Sequence, residues 1–249
     1  MSSENVSRRA FLAKAGAASA AALVPGAAAL EAMASPSRGR RGPHPATPKA
    51  ALHLLQGGNK RYRANKLELR DYSPAGVDRA NDQKPFATIL TCSDSRLAPD
   101  LVFDVQEGNL FVVKVAGNSI DTGTLGSVEY GVAVLGVKLV MVLGHSDCGA
   151  VKAAISVANG TKSYPPSKYG AIGPLVDAVV PTVEAIPASE RTLQACTSAN
   201  ASNQATELAN LDPIVKPAIR AGTLWVVPAV YNVPNGRVRL IAPPVVPSA

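Results

Sequence analysis

The chain has 249 residues, 47% of them hydrophobic, enough for one ordinary domain with a full core or two small ones. Aromatic residues make up only 4%, so aliphatic side chains and alanine must fill that core. The net charge is +7, from 25 Lys and Arg against 18 Asp and Glu. The basic residues are scattered outside RGRR at 38–41, with no basic stripe interleaved with aromatics, so no nucleic-acid surface is expected.

The first segment reads as an address. Arg8 and Arg9 precede Phe11 and Leu12, an alanine-rich stretch follows, and Ala32-Met33-Ala34 closes it. A charged start, an apolar middle and a small-residue end describe an export signal over 1–34. The S-R-R-x-F-L pattern resembles the bacterial twin-arginine signal and places the mature protein in the periplasm or outside the cell. The alanine stretch, interrupted by Pro25 and glycines, is too weakly apolar to remain as a membrane span. Residues 35–48, rich in Pro, Gly and Arg, read as a disordered linker, and 49–249 as the folded domain.

A helix is expected over about 49–66, weakened by Gly57-Gly58. FATILT at 86–91 and LFVVKVA at 110–116 read as strands, and TLGSVEYGVAVLG at 124–136 has helical spacing. KLVMVLG at 138–144 is a continuous apolar run that suits a strand buried on both faces, and CGAVKAAISVAN at 148–159 reads as the helix after it. A last helix is expected around 201–221. LWVVPAVYNV and GRVRLIA, joined by PNG, form a hairpin. The alternation predicts an α/β fold: a mainly parallel sheet flanked by helices, with an antiparallel C-terminal edge.

In such sheets active sites form beyond the carboxyl ends of strands. Two motifs fall there: CSDSR at 92–96 and HSDC at 145–148. Cys92, His145 and Cys148 are candidate metal ligands, and two thiolates with one imidazole suit Zn2+. Cys148 opens a helix, where the macrodipole favours a thiolate. Three ligands leave a fourth position for water, whose pKa zinc lowers toward neutrality, as in catalytic rather than structural sites. Asp94 and Arg96, two apart, form a pair in which the guanidinium fixes an ionised carboxylate able to orient that water. The same residues also admit blander readings: buried or redox-active thiols, a surface ion pair, and serines that only cap turns. Cys196, in the polar stretch QACTSAN, reads as a free thiol, and His44 and His53 as solvent-exposed.

Taken together, CSDSR, GHSDCG, QKPFATILTC, EGNLFVVKVAGN, SVEYGVAVLGV and AVYNVPNGRV resemble the β-class carbonic anhydrases across residues 48–242. The resemblance implies reversible hydration of CO2 to bicarbonate and a proton, with zinc on Cys92, His145 and Cys148 and the Asp94–Arg96 dyad beside it. It also implies Gln83 and Gly149 near bound substrate, and Phe111 and Tyr130 lining the pocket, partly across a subunit interface. A homodimer or homotetramer follows, with the first helix lying on a neighbouring subunit. Ile89 stands where some members carry a tryptophan of a bicarbonate regulatory site, so that site is not expected. No histidine stands out as a proton shuttle. CS2 or COS hydrolysis on the same zinc fold, and a non-catalytic zinc or thiol interaction module, remain as alternatives.

Overall fold

A computed structural model describes residues 44–73 and 83–248. The expected export signal and all but the end of the expected linker lie outside the described residues.

Helix α1, Pro48–Arg63, begins where Thr47 accepts a hydrogen bond from the Ala50 N–H at 3.2 Å, with Pro48 preset for the first turn. Lys60, Arg61 and Arg63 fill the last turn, where the macrodipole favours cations. Strand β1 is Ala87–Thr91, followed by the single turn α2, Pro99–Val102, and by β2, Leu110–Lys114. Helix α3, Thr122–Ala133, opens on a reciprocal cap: Asp121 accepts from the Thr124 N–H, and the Thr124 hydroxyl accepts from the Asp121 N–H, both at 2.7 Å. Strand β3, Leu139–His145, is buried at every residue, as its apolar run predicts, and α4, Gly149–Ala158, follows it. Three short helices come next: α5 (Pro166–Tyr169), α6 (Ile172–Asp177) and α7 (Val180–Glu184).

The expected helix over 201–221 is two helices, α8 (Leu193–Ala209) and α9 (Val215–Arg220). The break falls at Pro213, which has no N–H to continue the ladder. Strands β4, Trp225–Asn232, and β5, Arg237–Leu240, complete the hairpin, with Gly236 in the left-handed region at φ 69°.

The sheet order is β2-β1-β3-β4-β5, parallel throughout except for the β4–β5 edge. This is the fold class expected from sequence. One face packs Phe86, Ile89, Leu143, Ala229 and Tyr231 with Ala51 and Leu55 of α1. The other packs Leu90, Val140, Val142 and Val226 against Val128 of α3 and Ala201, Ala205 and Leu208 of α8. A third cluster gathers Cys92, Cys148, Val151, Ala154, Val176, Val179, Val183 and Cys196.

Helix α1 docks on its own chain. Asn59, buried, donates to Val102 O at 3.1 Å and Gly236 O at 2.8 Å and accepts from the Val238 N–H at 2.9 Å. Of the glycine pair, Gly58 is the required one: a Cβ there would lie 1.6 Å from Phe103 O, so only glycine admits this approach. Beyond the helix, the buried Asp104 carboxylate is gripped by Arg61 and Arg70 and accepts from the Glu68 N–H at 3.3 Å. Burial alone would raise its pKa, but the two guanidinium bonds outweigh it and hold the group below its ordinary value.

Candidate metal centre

The register decides which motifs meet. Thr91, the last residue of β1, lies opposite Leu143 of β3, so Cys92 leaves the sheet beside the end that carries His145. His145 pairs with Tyr231 of β4, and the turn after it is tied to that strand twice. The Ser146 N–H donates to Tyr231 O at 2.8 Å, and the Ser146 hydroxyl accepts from the Val233 N–H at 2.9 Å. Ser146 is therefore a strand tie rather than a cap. The turn then brings Cys148 to the N-cap of α4, at the helix's first N–H groups.

The ligating atoms of Cys92, His145 and Cys148 lie within 4.8 Å of one another. Among the described residues this is the one group of three or more His, Cys, Asp or Glu side chains so placed. Small side-chain rotations bring such a set to the ~2.0–2.3 Å that zinc requires of nitrogen and sulfur. All three residues are buried, His145 completely. Its Nδ1 lies 2.9 Å from Ser146 O, which fixes the proton on that nitrogen and the lone pair on Nε2. Nε2 is buried and has no hydrogen-bond partner in the chain. An orphaned buried acceptor beside two thiols is what a metal satisfies.

The thiols carry the same message. Cys92 is pulled down to about 4, chiefly by the hydrogen bond from Cys148, with further help from the Gly117 N–H. Cys148 is held above its ordinary value by that shared hydrogen bond and by burial. Two adjacent buried thiols hold one negative charge between them, and a divalent cation removes the penalty on the second.

Two supports were not legible in the motifs. The Gly117 N–H donates to Cys92 Sγ at 3.4 Å, and Asn200 of α8 donates to Gly117 O at 2.8 Å. Gly117 has φ 80°, and a Cβ there would press on Ala150 and Val179 at 3.1 and 3.3 Å, so the position calls for glycine. The sequence carried a faint sign of this in the VAGN stretch. Nothing local marked Asn200.

Asp94 and Arg96 form a two-pronged pair, Nε to Oδ1 at 3.0 Å and Nη2 to Oδ2 at 2.8 Å, while the Arg96 N–H also reaches Oδ1 at 2.9 Å. The guanidinium bond holds Asp94 well below the usual carboxylate range and raises Arg96 in turn. Asp94 Oδ2 stands 4.0 Å from His145 Nδ1, at the margin of the donor set and outside it. Lys114, at the end of β2, braces the loop by donating to Asp94 O at 3.2 Å and Leu97 O at 2.9 Å. Asp147, at φ 66°, links the two motifs by facing Arg96 at 3.7 Å while Lys152 holds its other oxygen.

The four expected pocket residues divide. Gly149 directly follows Cys148 and is exposed, with open space where a Cβ would stand. Phe111 is paired with Thr88, four residues before Cys92, about 13 Å back along the strand. Tyr130 of α3 lies beside Phe111, ring centroids 6.1 Å apart, and is 46% exposed. Gln83 precedes the amino end of β1 and is exposed. Within one chain these three are not gathered at the donors. Cys196 is fully buried rather than in polar surroundings, because α8 turns it into the cluster that holds Cys92 and Cys148; it is a free thiol, as expected. His44 and His53 are exposed.

Residues 87–238 match the family described as Carbonic anhydrase. The chain belongs to the carbonic anhydrase family. It is 33% identical to the carbonic anhydrase of Mycolicibacterium smegmatis over 198 residues, covering 78% of this chain and 93% of that one. It is 44% identical to Carbonic anhydrase 2 of Mycobacterium tuberculosis over 140 residues, covering 55% of this chain and spanning 64% of that relative's length. In fold it is similar to tetrameric beta-carbonic anhydrases of the ascomycete Sordaria macrospora, with a TM-score of 0.57, 24% identity, and 67% and 85% of the two chains covered. Nothing in the centre or in these carbonic anhydrase relatives favours CS2 or COS as substrate, or a non-catalytic zinc or thiol module.

Proposed function

We propose that this carbonic anhydrase hydrates CO2 reversibly to bicarbonate and a proton, with zinc on Cys92, His145 and Cys148. The observation that carries the reading is the orphaned Nε2 of a wholly buried histidine, converging with two thiols at the sheet's carboxyl edge. Zinc held there supplies a Lewis acid that lowers the pKa of water to near neutrality and so yields a nucleophile.

The chain's own residues do the remainder. Asp94, kept ionised by Arg96, only accepts hydrogen bonds. A water or hydroxide beside it must point its hydrogen at the carboxylate and its lone pair away, toward an incoming carbon. Arg96 fixes both carboxylate oxygens, and Lys114 and Asp147 brace the loop, so little reorganisation accompanies the reaction. The Ser146 carbonyl holds the Nδ1 proton of His145 and so orients the Nε2 lone pair toward the two thiols.

The working unit is a homodimer or homotetramer. Tyr130 and Val134, one turn apart on α3, are 46% and 62% exposed, an apolar face for a second copy. Phe111 and Tyr130, remote from their own chain's donors, fit a role across that contact. The Arg8-Arg9 pattern supports twin-arginine export to the periplasm or beyond, with cleavage after Ala34. No helix among the described residues is long and apolar enough to cross a membrane.

Stopped-flow hydration by the zinc-loaded protein tests the activity. A stoichiometric zinc protein that leaves the buffer rate unchanged would reject it. Sedimentation tests the assembly. Loss of export when Arg8 and Arg9 are both replaced by Lys, in a fusion to a folded reporter, tests the address.

A further inference from the structure

A cleft of about 480 Å3 lies between the first turns of α8 and the β4–β5 hairpin; Ser146 and Asp147, from the turn between His145 and Cys148, close one end of it, and none of the three donors lines it. Alternation along β4 puts Val230 on the α8 face, opposite Ala229 and Tyr231, which pack under α1. Across the antiparallel ladder Arg239 pairs with Val230 and Arg237 with Asn232, so both arginines stand on the cleft side. Both line the cleft and both are exposed. Neither guanidinium has a carboxylate partner among the described residues. The one carboxylate at the cleft, Asp147, is engaged by Lys152 and faced by Arg96.

Three further observations point to a ligand. Thr197 lines the same cleft and is 3% exposed, yet its hydroxyl is buried without a hydrogen-bond partner. Such an orphan costs about 1–3 kcal/mol unless something answers it. Helix α8, 17 residues long, begins at the cleft with Leu193 and Gln194, so its N-terminal dipole favours negative charge there. The cleft also has the volume of a small-molecule site. Arginines on an edge strand do discourage sheet extension. That role accounts for their charge but not for the unanswered hydroxyl or the cleft beside it.

We propose that this cleft binds a phosphate group, either free phosphate or the head of a small phosphorylated metabolite. Two guanidinium forks match the tetrahedral oxyanion. The Thr197 hydroxyl and the start of α8 add donors from the opposite wall. The proposal does not rest on CO2 hydration, because binding is read directly.

The full-length, zinc-loaded protein is titrated at low ionic strength with inorganic phosphate and, separately, with glucose 6-phosphate, by calorimetry and phosphorus NMR. One equivalent per chain is expected, with at least one of the two probes binding below millimolar. The double variant Arg237→Gln, Arg239→Gln weakens binding tenfold or more, with zinc content and hydration rate unchanged. Thr197→Val weakens it by a few-fold with both arginines in place. Comparable affinity for the two probes assigns free phosphate as the ligand; preference for the sugar phosphate assigns a phosphorylated metabolite. Absence of saturable binding by either probe overturns the proposal. So does binding that survives in the double variant with its near-ultraviolet spectrum intact, since the anion then sits elsewhere.

Discussion

Two buried polar regions of this chain are built on opposite principles. Around Asn59 and Asp104 the polar groups are answered within the chain: Asn59 makes three hydrogen bonds, and Asp104 meets two arginines and a backbone N–H. At the centre, His145 Nε2 has no partner and two thiols share one charge. Buried groups satisfied internally hold the fold, and an unanswered nitrogen converging with two thiols is open to a metal. The distinction separates residues whose loss unfolds the protein from residues whose loss disarms it.

The sharpest way to break the comparison is at the donors. Cys148→Ala or His145→Ala should abolish both zinc binding and hydration, bringing the rate down to that of buffer, while the far-ultraviolet spectrum of the metal-free protein stays unchanged. Zinc analysis and stopped-flow assay read both. Asp94→Asn should retain a full equivalent of zinc but lose about 100-fold in kcat/KM, because the amide no longer offers an acceptor-only edge.

The satisfied region should behave the other way. Asp104→Asn leaves two arginines without their carboxylate and should cost about 3 kcal/mol in urea unfolding, with kcat unaltered in the protein that remains folded. Asn59→Ala strands two carbonyls and an N–H and should cost about 2 kcal/mol by the same measurement.

The smallest effect is in acid. The folded pKa of Asp104 lies below its unfolded value, so its contribution is fully present above the unfolded pKa of about 4 and is lost as pH falls through the lower, folded one. Asp104→Asn should therefore flatten the decline of stability below about pH 4. An equally steep decline in the variant would assign acid unfolding to other carboxylates.

The sequence showed the centre more fully than its scaffold. Local signals were strong where function is local: an apolar strand ending in HSDC, a second ending in CSDSR, and a helix opening at Cys148. What escaped depends on distant partners. Asn59 is an ordinary polar residue in a helix until Val102, Gly236 and Val238 surround it. Asn200 looks equally ordinary until it meets Gly117. The break between α8 and α9 was signalled by Pro213, but apolar spacing on either side masked it. The three short helices over 166–184 carry too few residues for periodicity to register. Phe111 and Tyr130 show a different limit: resemblance assigns them a role, while the register of β1 and β2 keeps them from their own chain's donors.

The closeness of Gly58 to Phe103 has one more outcome. A helix clasped so tightly by its own sheet travels with its subunit when copies separate. Dilution that splits the assembly should therefore leave ellipticity at 222 nm per residue unchanged, with the first helix still seated as a rib of its own protomer.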